Sequence, residues 1–408
     1  MTEFNLALLA IGTLVLGIGL ISRLVRHSVL SEPILALLFG IIAGPVGLNW
    51  LNLSDWGEPR VVLEQAARLT LAFGLMGVAL RLPRSYPVRQ WYPLTILLGL
   101  GMPLMWLFGS AIAYLILGVS WLNALLIGAI ISPTDPVVAT SIVTGELAHQ
   151  YLPASLRHAI SAESGANDGL AYPLVLLPIL LKQRPPSEAL LHWLGRVLVW
   201  EVGFAVIFGI LLGLVAGYLL EWAERRDTIE KNSFLTYTVA LSLTALGLAK
   251  LLGSDGILAV FVTGLAFGTI VSVQERAQEE RVQEAFDRFF TLPIFALLGA
   301  SLPWQGWYNL GWRGVAFAVA ILLFRRLPVL WLLAWQLGKL RRPRNIGLMG
   351  WFGPIGIAAL YYTNFVHRQT GLEDVWIVAS LIICASIVVH GITATPFTLR
   401  YGRWAERS

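Results

Sequence analysis

Two aspartates stand where charge is expensive. Asp135 lies in Ile131-Ser132-Pro133-Thr134-Asp135-Pro136 and Asp168 in Ser161-Ala162-Glu163-Ser164-Gly165-Ala166-Asn167-Asp168-Gly169, both inside long apolar runs. A carboxylate enclosed in this way faces protein rather than lipid, where it can take up a proton or ligate a cation. Ser164 stands one helical turn before Asp168 on the same face, and Thr134 precedes Asp135. Asp168, Asp135, Ser164 and Thr134 therefore form a candidate set of oxygen ligands for a small hard cation, with Na+ expected. Asp135 sits in a helix break and shapes the site from there. Glu163 lies five residues from Asp168 on another face and fits an ion pair instead. Arg325 and Arg326 are its available partners, with Arg325 preferred. Glu64 and Arg68, four residues apart, are expected to satisfy each other. His390 reads as an interfacial side chain.

The elements that hold these residues are membrane spans. Of 408 residues, 57% are hydrophobic and 13% charged, too few charges to cover a soluble globule of this size. Mean hydropathy is +0.72. Runs long enough to cross a bilayer number about thirteen, near 4–22, 29–48, 62–80, 91–118, 120–144, 156–181, 195–220, 232–252, 255–273, 285–302, 312–338, 345–366 and 374–395. The N-terminus lacks a signal-peptide pattern, so the first run is expected to stay as a span. If alternate loops are cytoplasmic, most of the 29 Lys and Arg fall on that side. Examples are Arg81, Arg84 and Arg89, then Lys231, then Lys339, Arg341, Arg342 and Arg344, and the tail with Arg407. This bias places the N-terminus outside and the C-terminus in the cytoplasm. It also explains the net charge of +5 without nucleic acid. The charged stretch from Gln274 to Arg288 reads as a short cytoplasmic helix, and no soluble regulatory domain is expected. One cysteine, Cys384, excludes an intrachain disulfide and a thiolate metal site.

Two spans carry helix-breaking sequence at mid-membrane depth. Pro133 and Pro136 flank Asp135 in the fifth, and Gly353, Pro354 and Gly356 interrupt the twelfth. Dividing the chain into repeat one (4–181), a linker helix (195–220) and repeat two (232–395) puts each break in the fifth helix of its repeat. A seven-span offset reverses the orientation of the second copy. Paired breaks in an inverted repeat point to an ion site where they cross. The expected fold is an all-α polytopic membrane protein with two inverted repeats and discontinuous helices crossing at mid-membrane.

With these residues, the chain resembles the cation/proton antiporters of the NhaP and sodium/proton-exchanger type. The likeness rests on Ser132-Pro133-Thr134-Asp135-Pro136-Val137-Val138-Ala139, on Ala162-Glu163-Ser164 followed by Asn167-Asp168-Gly169, and on Gly353 to Tyr361. It covers essentially the whole chain. It implies a homodimer in the lipid bilayer with a mobile core, exchanging Na+, or Li+ or K+, for H+ without a cofactor or enzymatic step. It implies Asp168 as the carrier of ion or proton, Asp135 as a neighbouring site residue and Thr134 and Ser164 as further ligands, with Asn167 bracing the broken helices and Glu163 pairing with Arg325. Asn rather than Asp before Asp168 implies electroneutral exchange. The implied location is the plasma membrane, the inner membrane in a bacterium. Unlike many relatives, the third span reads Met76-Gly77-Val78-Ala79-Leu80 and carries no glutamate there. A potassium/proton antiporter is the nearest alternative. An uncoupled channel-like or sensory protein is a second, and an intramembrane aspartyl protease is a distant third, because the motif around each aspartate differs from that chemistry.

Overall fold

A computed structural model describes residues 2–26, 28, 30–136, 138–144, 146–229, 234–271 and 273–405. Val137 and the loop cations Lys231 and Arg407 lie outside these residues. Fourteen principal helices run in order: α1 Thr2–Arg26, α2 Glu32–Ala43, α3 Pro59–Arg81, α4 Trp91–Leu117, α5 Trp121–Ile130, α6 Ala154–Gln183, α7 Pro186–Arg225, α8 Phe234–Leu251, α9 Gly256–Ile270, α10 Val273–Ala300, α11 Trp304–Phe324, α12 Pro343–Trp351, α13 Ile357–Thr370 and α14 Glu373–Ala405. No strand occurs among the described residues. Helix is what a bilayer requires, because a peptide group in hydrocarbon must find its partner within its own segment.

Among the described residues, eight helices are long and apolar enough to cross a membrane alone, and α2, α5 and α9 are shorter apolar helices. The shortness of α5 has a direct cause: Pro133 follows its last turn and cannot continue the hydrogen-bond ladder. One expectation is corrected here. The charged stretch from Gln274 to Arg288 is not a separate helix but the first half of α10, continuous through to Ala300.

The packing is reciprocal. Helix α2 lies on α10, and α3 lies on α9; α6 touches α13, and α14 touches α5. Each of these pairs maps onto its mate when the chain is offset by seven spans. Helix α7 rests on α9 through Gly209, Gly213 and Gly217, one small residue per turn. A Cβ at Gly213 would run into the Thr263 carbonyl. Where lipid provides no hydrophobic drive between helices, such close approach supplies the dispersion contact that holds them together.

Two local pairings differ from the sequence reading. Glu64, buried at 2% exposure, accepts from Nε and Nη2 of Arg368, both at 2.8 Å, which ties α3 to the end of α13. Arg68 instead donates to Gln65 at 3.2 Å. A guanidinium from a neighbouring helix can approach the carboxylate edge-on with two parallel bonds, which the i,i+4 partner on the same helix does not do here. The helix stripe gives a measurable expectation. Replacing Gly213 with Leu should lower the thermal unfolding midpoint in detergent, whereas Leu at Gly12, which has open space, should leave it unchanged. Equal midpoints for the two variants would contradict close packing of α7 on α9.

Candidate ion site at the crossing of two broken helices

The first break begins where α5 ends, at Ile131. The second separates α12 from α13 over residues 352–356. The two unwound segments meet. The Asp135 amide donates to the Pro354 carbonyl at 2.8 Å, and the Asp135 carboxylate accepts the Ile357 amide at 2.5 Å and the Val138 amide at 3.2 Å. Asp135 thereby caps the N-terminus of α13, where the helix dipole favours negative charge. Glycine is required at the contact, since a Cβ on Gly356 would overlap the Asp135 carboxylate and one on Gly353 would overlap Arg326.

The opposite polarity is met by Arg325. Its guanidinium donates to the carbonyls of Ile131, Ser132 and Pro133 on the first break and Gly353 on the second. The distances to Ser132 and Pro133 are 3.0 and 3.3 Å. These carbonyls belong to the unwound segments that follow the C-termini of α5 and α12, so one cation satisfies backbone of both breaks near their negative ends.

Glu163 pairs with Arg326, not with Arg325, through two bonds of 2.5 and 2.6 Å. The expected Glu163–Arg325 pair is therefore corrected. The reason is a bend: α11 stops at Phe324, Arg325 retains helical angles, and Arg326 departs to φ −114° before a short helix, Leu327–Leu333, begins. Adjacent guanidiniums are thus aimed in different directions. Arg326 also donates its Nε to the Met349 carbonyl at 2.8 Å, which joins α12 to the same pair.

Asn167 holds Thr134 from two sides. Its Oδ1 accepts the Thr134 amide at 3.0 Å, and its Nδ2 donates to the Thr134 hydroxyl at 2.8 Å. The Thr134 and Ser164 hydroxyls are 2.9 Å apart. Thr134, Asp135, Ser164, Asn167 and Asp168 are each no more than 1% exposed. Among these groups Asp168 is distinct: both of its carboxylate oxygens are buried and have no hydrogen-bond partner. Tyr362 donates to its backbone carbonyl at 2.6 Å, not to its side chain.

Sequence reasoning missed three contributors. Tyr362 fixes the backbone at Asp168 from α13. Ser386 and His390, on α14, strap the second break. The Ser386 hydroxyl accepts the Ile355 amide at 2.7 Å, and the His390 ring lies 2.9 Å from the Trp351 carbonyl. His390 is only 3% exposed, so its reading as an interfacial side chain is also corrected. A polar i,i+4 pair within an apolar span, Ser386 and His390, was the signal available in the sequence. The third-span stretch without a glutamate packs Met76 against Gly264 of α9.

Two interrupted helices crossing at a buried polar centre, inside a reciprocal helical bundle, define the class: a polytopic membrane protein with the crossed-helix architecture of ion-coupled carriers. Residues 10–400 match the family described as sodium/hydrogen exchanger, transmembrane, and the chain belongs to that family. It is 30% identical to Na(+)/H(+) antiporter 2 of Zygosaccharomyces rouxii over 98% of this chain and 53% of that protein. It is likewise 30% identical to the Na(+)/H(+) antiporter of Saccharomyces cerevisiae, over 93% of this chain and 42% of that protein. The chain thus spans about half of these relatives' length. In fold it is similar to the sodium proton antiporter MjNhaP1 from Methanocaldococcus jannaschii, with a TM-score of 0.75 at 18% identity, covering 98% of this chain and 99% of the other.

The ion pair can be tested by a double-mutant cycle read as thermal unfolding in detergent. Arg326→Gln leaves a buried carboxylate unpaired and should cost about 3–5 kcal/mol. Adding Glu163→Gln should recover most of that loss. Arg325→Gln should show little coupling to Glu163; stronger coupling to Arg325 than to Arg326 would contradict the assignment.

Proposed function

We propose that the chain is a sodium/proton antiporter that exchanges one Na+ for one H+ at Asp168. The observation that carries this reading is the unpartnered carboxylate of Asp168 among groups whose charges are already met. Asp135 is held by helix N-terminal amides, Glu163 by Arg326, and Arg325 by four backbone carbonyls. A single uncompensated negative charge matches a single positive one, and a proton or a monovalent cation supplies it equally. Ser164 and Thr134, whose hydroxyls already lie together, are the neighbouring oxygen ligands, and Asn167 keeps Thr134 in place. Asp135 acts on the ion through the position of Thr134 rather than as a second carrier.

Obligatory exchange follows if the core reorients only when Asp168 is neutralised. The reciprocal packing supports two inverted repeats, 4–181 and 232–395, about the linker helix 195–220, and an elevator-like motion of the part that carries the crossing. The engagement of Asp135 with two backbone amides speaks against a proton-sharing pair with Asp168, and hence against an aspartyl protease. On this reading the protein works as a homodimer in the plasma membrane, and the loop cations support an outside N-terminus and a cytoplasmic C-terminus.

Reconstitution into liposomes tests the reading. Na+, Li+ and K+ are each supplied against an imposed pH gradient, with and without a membrane potential. Na+ should dissipate the gradient fastest and without sensitivity to the potential; a response to K+ alone would move the substrate to potassium. Asp168→Asn should abolish the exchange while the protein still elutes as a folded species, because the carboxylate it replaces makes no hydrogen bond. Full residual exchange in that variant would overturn the role of Asp168. Because proton and cation occupy the same carboxylate, the apparent Na+ affinity should weaken about tenfold for each unit of pH decrease once the protonated form dominates. An affinity independent of pH would contradict the competition.

A further inference from the structure

Away from the crossing, a cavity of about 710 Å³ lies between the start of α6, the loop before α12 and the end of α14. Lys339, Arg341, Arg342 and Arg344 line it, and among the described residues no acidic side chain does. Four cations around one concavity repel one another unless an anion sits among them. The backbone adds to the same polarity. Helix α6 begins after Pro153 and α12 after Arg342, and neither start has a side-chain cap. Pro153 and Ser155 from the first, and Arg342 and Arg344 from the second, line the cavity, so the first amides of α6 and the single Arg344 amide of α12 lie at it, since Pro343 has no N–H and the Asn345 amide returns to the Arg342 carbonyl.

Two side chains point to a ligand independently of charge. Asn345 is 6% exposed, and its Oδ1 accepts the Tyr401 hydroxyl at 2.7 Å. Among the described residues that is its one side-chain hydrogen bond, so its amide nitrogen remains as a donor on the cavity wall. The Nε of Arg344 is buried and also lacks a partner, while its guanidinium stacks 5.6 Å from the centre of the Tyr401 ring.

We infer that this cavity binds a phosphate-bearing anion, the headgroup of an anionic membrane lipid. It is open to the surface, and its volume exceeds what one inorganic ion fills. Exposed Trp331 and Trp335 precede the loop, and exposed Trp404 follows Tyr401. Exposed tryptophans of this kind sit at headgroup level, which brings the phosphate of a lipid to the cavity mouth. An occupant joins α6, which carries Asp168, to α12, which leads into the second break. It therefore bridges the two repeats at one end of the molecule. The site is independent of which cation is exchanged.

The test uses the full chain purified in a neutral detergent and reads the thermal unfolding midpoint. Short-chain phosphatidic acid, short-chain phosphatidylcholine and inorganic phosphate are titrated separately. Phosphatidic acid should raise the midpoint saturably, and phosphatidylcholine should not. The doubly substituted R341Q/R342Q protein, altered only at exposed positions, should bind about a hundredfold more weakly, since two charge-assisted hydrogen bonds are lost. Asn345→Asp retains the acceptor for Tyr401 but places a negative charge in the cavity, and it should weaken binding by roughly tenfold or more. Arg225→Gln, an exposed cation on α7, should behave as the unaltered chain. Equal stabilisation by both lipids, or undiminished binding in both cavity variants, would overturn the site. Inorganic phosphate acting as strongly as phosphatidic acid, and lost in the same variants, would overturn the lipid as its source.

Discussion

Breaking a helix inside a bilayer strands backbone groups that no lipid can satisfy, and the centre of this molecule is arranged around that constraint. Two interruptions cross, so two carbonyl ends and two amide ends meet within one small volume. Arg325 answers the carbonyls of both segments, and the Asp135 carboxylate answers amides at the opposite polarity. Each ionised group is held by the partial charges of broken backbone rather than by a counter-ion. The crossing is therefore stable only as a unit, because removing either charge exposes unsatisfied peptide groups on both strands.

Once the backbone is satisfied in this way, the remaining charges fall into order. Glu163 and Arg326 neutralise each other with good bidentate geometry, and Arg326 also anchors α12. Asn167 and Thr134 satisfy each other twice. What is left is Asp168, enclosed and without a hydrogen-bond partner. The polar network around it leaves this carboxylate as the one group of the crossing with no hydrogen-bond partner for its side chain among Thr134, Asp135, Ser164, Asn167 and itself. Small side chains help to hold this arrangement closed. Gly165 and Gly169 bring α6 so near to α9 that a Cβ would meet Phe261 or the backbone of Leu258. The short Gly165-Ala166 spacer thus tightens the helix contact that positions Asp168.

The same logic operates at the basic cavity, with the opposite sign. There the start of α6 and four long cations share a space that no acidic side chain lines among the described residues. The crossing resolves its polarity with residues of the chain itself, whereas the cavity leaves its polarity for something brought from outside. Both features lie on α6 and on the elements flanking the second break, so the crossing and the cavity share a frame.

Much of this was legible in the linear chain. Apolar runs, loop cations and two proline- or glycine-broken spans determine a polytopic helical protein, because bilayer thickness and backbone satisfaction act on local sequence alone. The placement of Asp135 and Asp168 in consecutive spans was equally readable. Pairings were not. Whether Arg325 or Arg326 meets Glu163 depends on a bend at one residue, and Glu64 prefers Arg368 from another helix to its own neighbour Arg68. His390 is buried by a break 39 residues away along the chain. Charges separated by one peptide bond or one helical turn look equivalent in sequence. Only the tertiary structure decides which of them reaches a partner, because an ion pair depends on distance and direction in space.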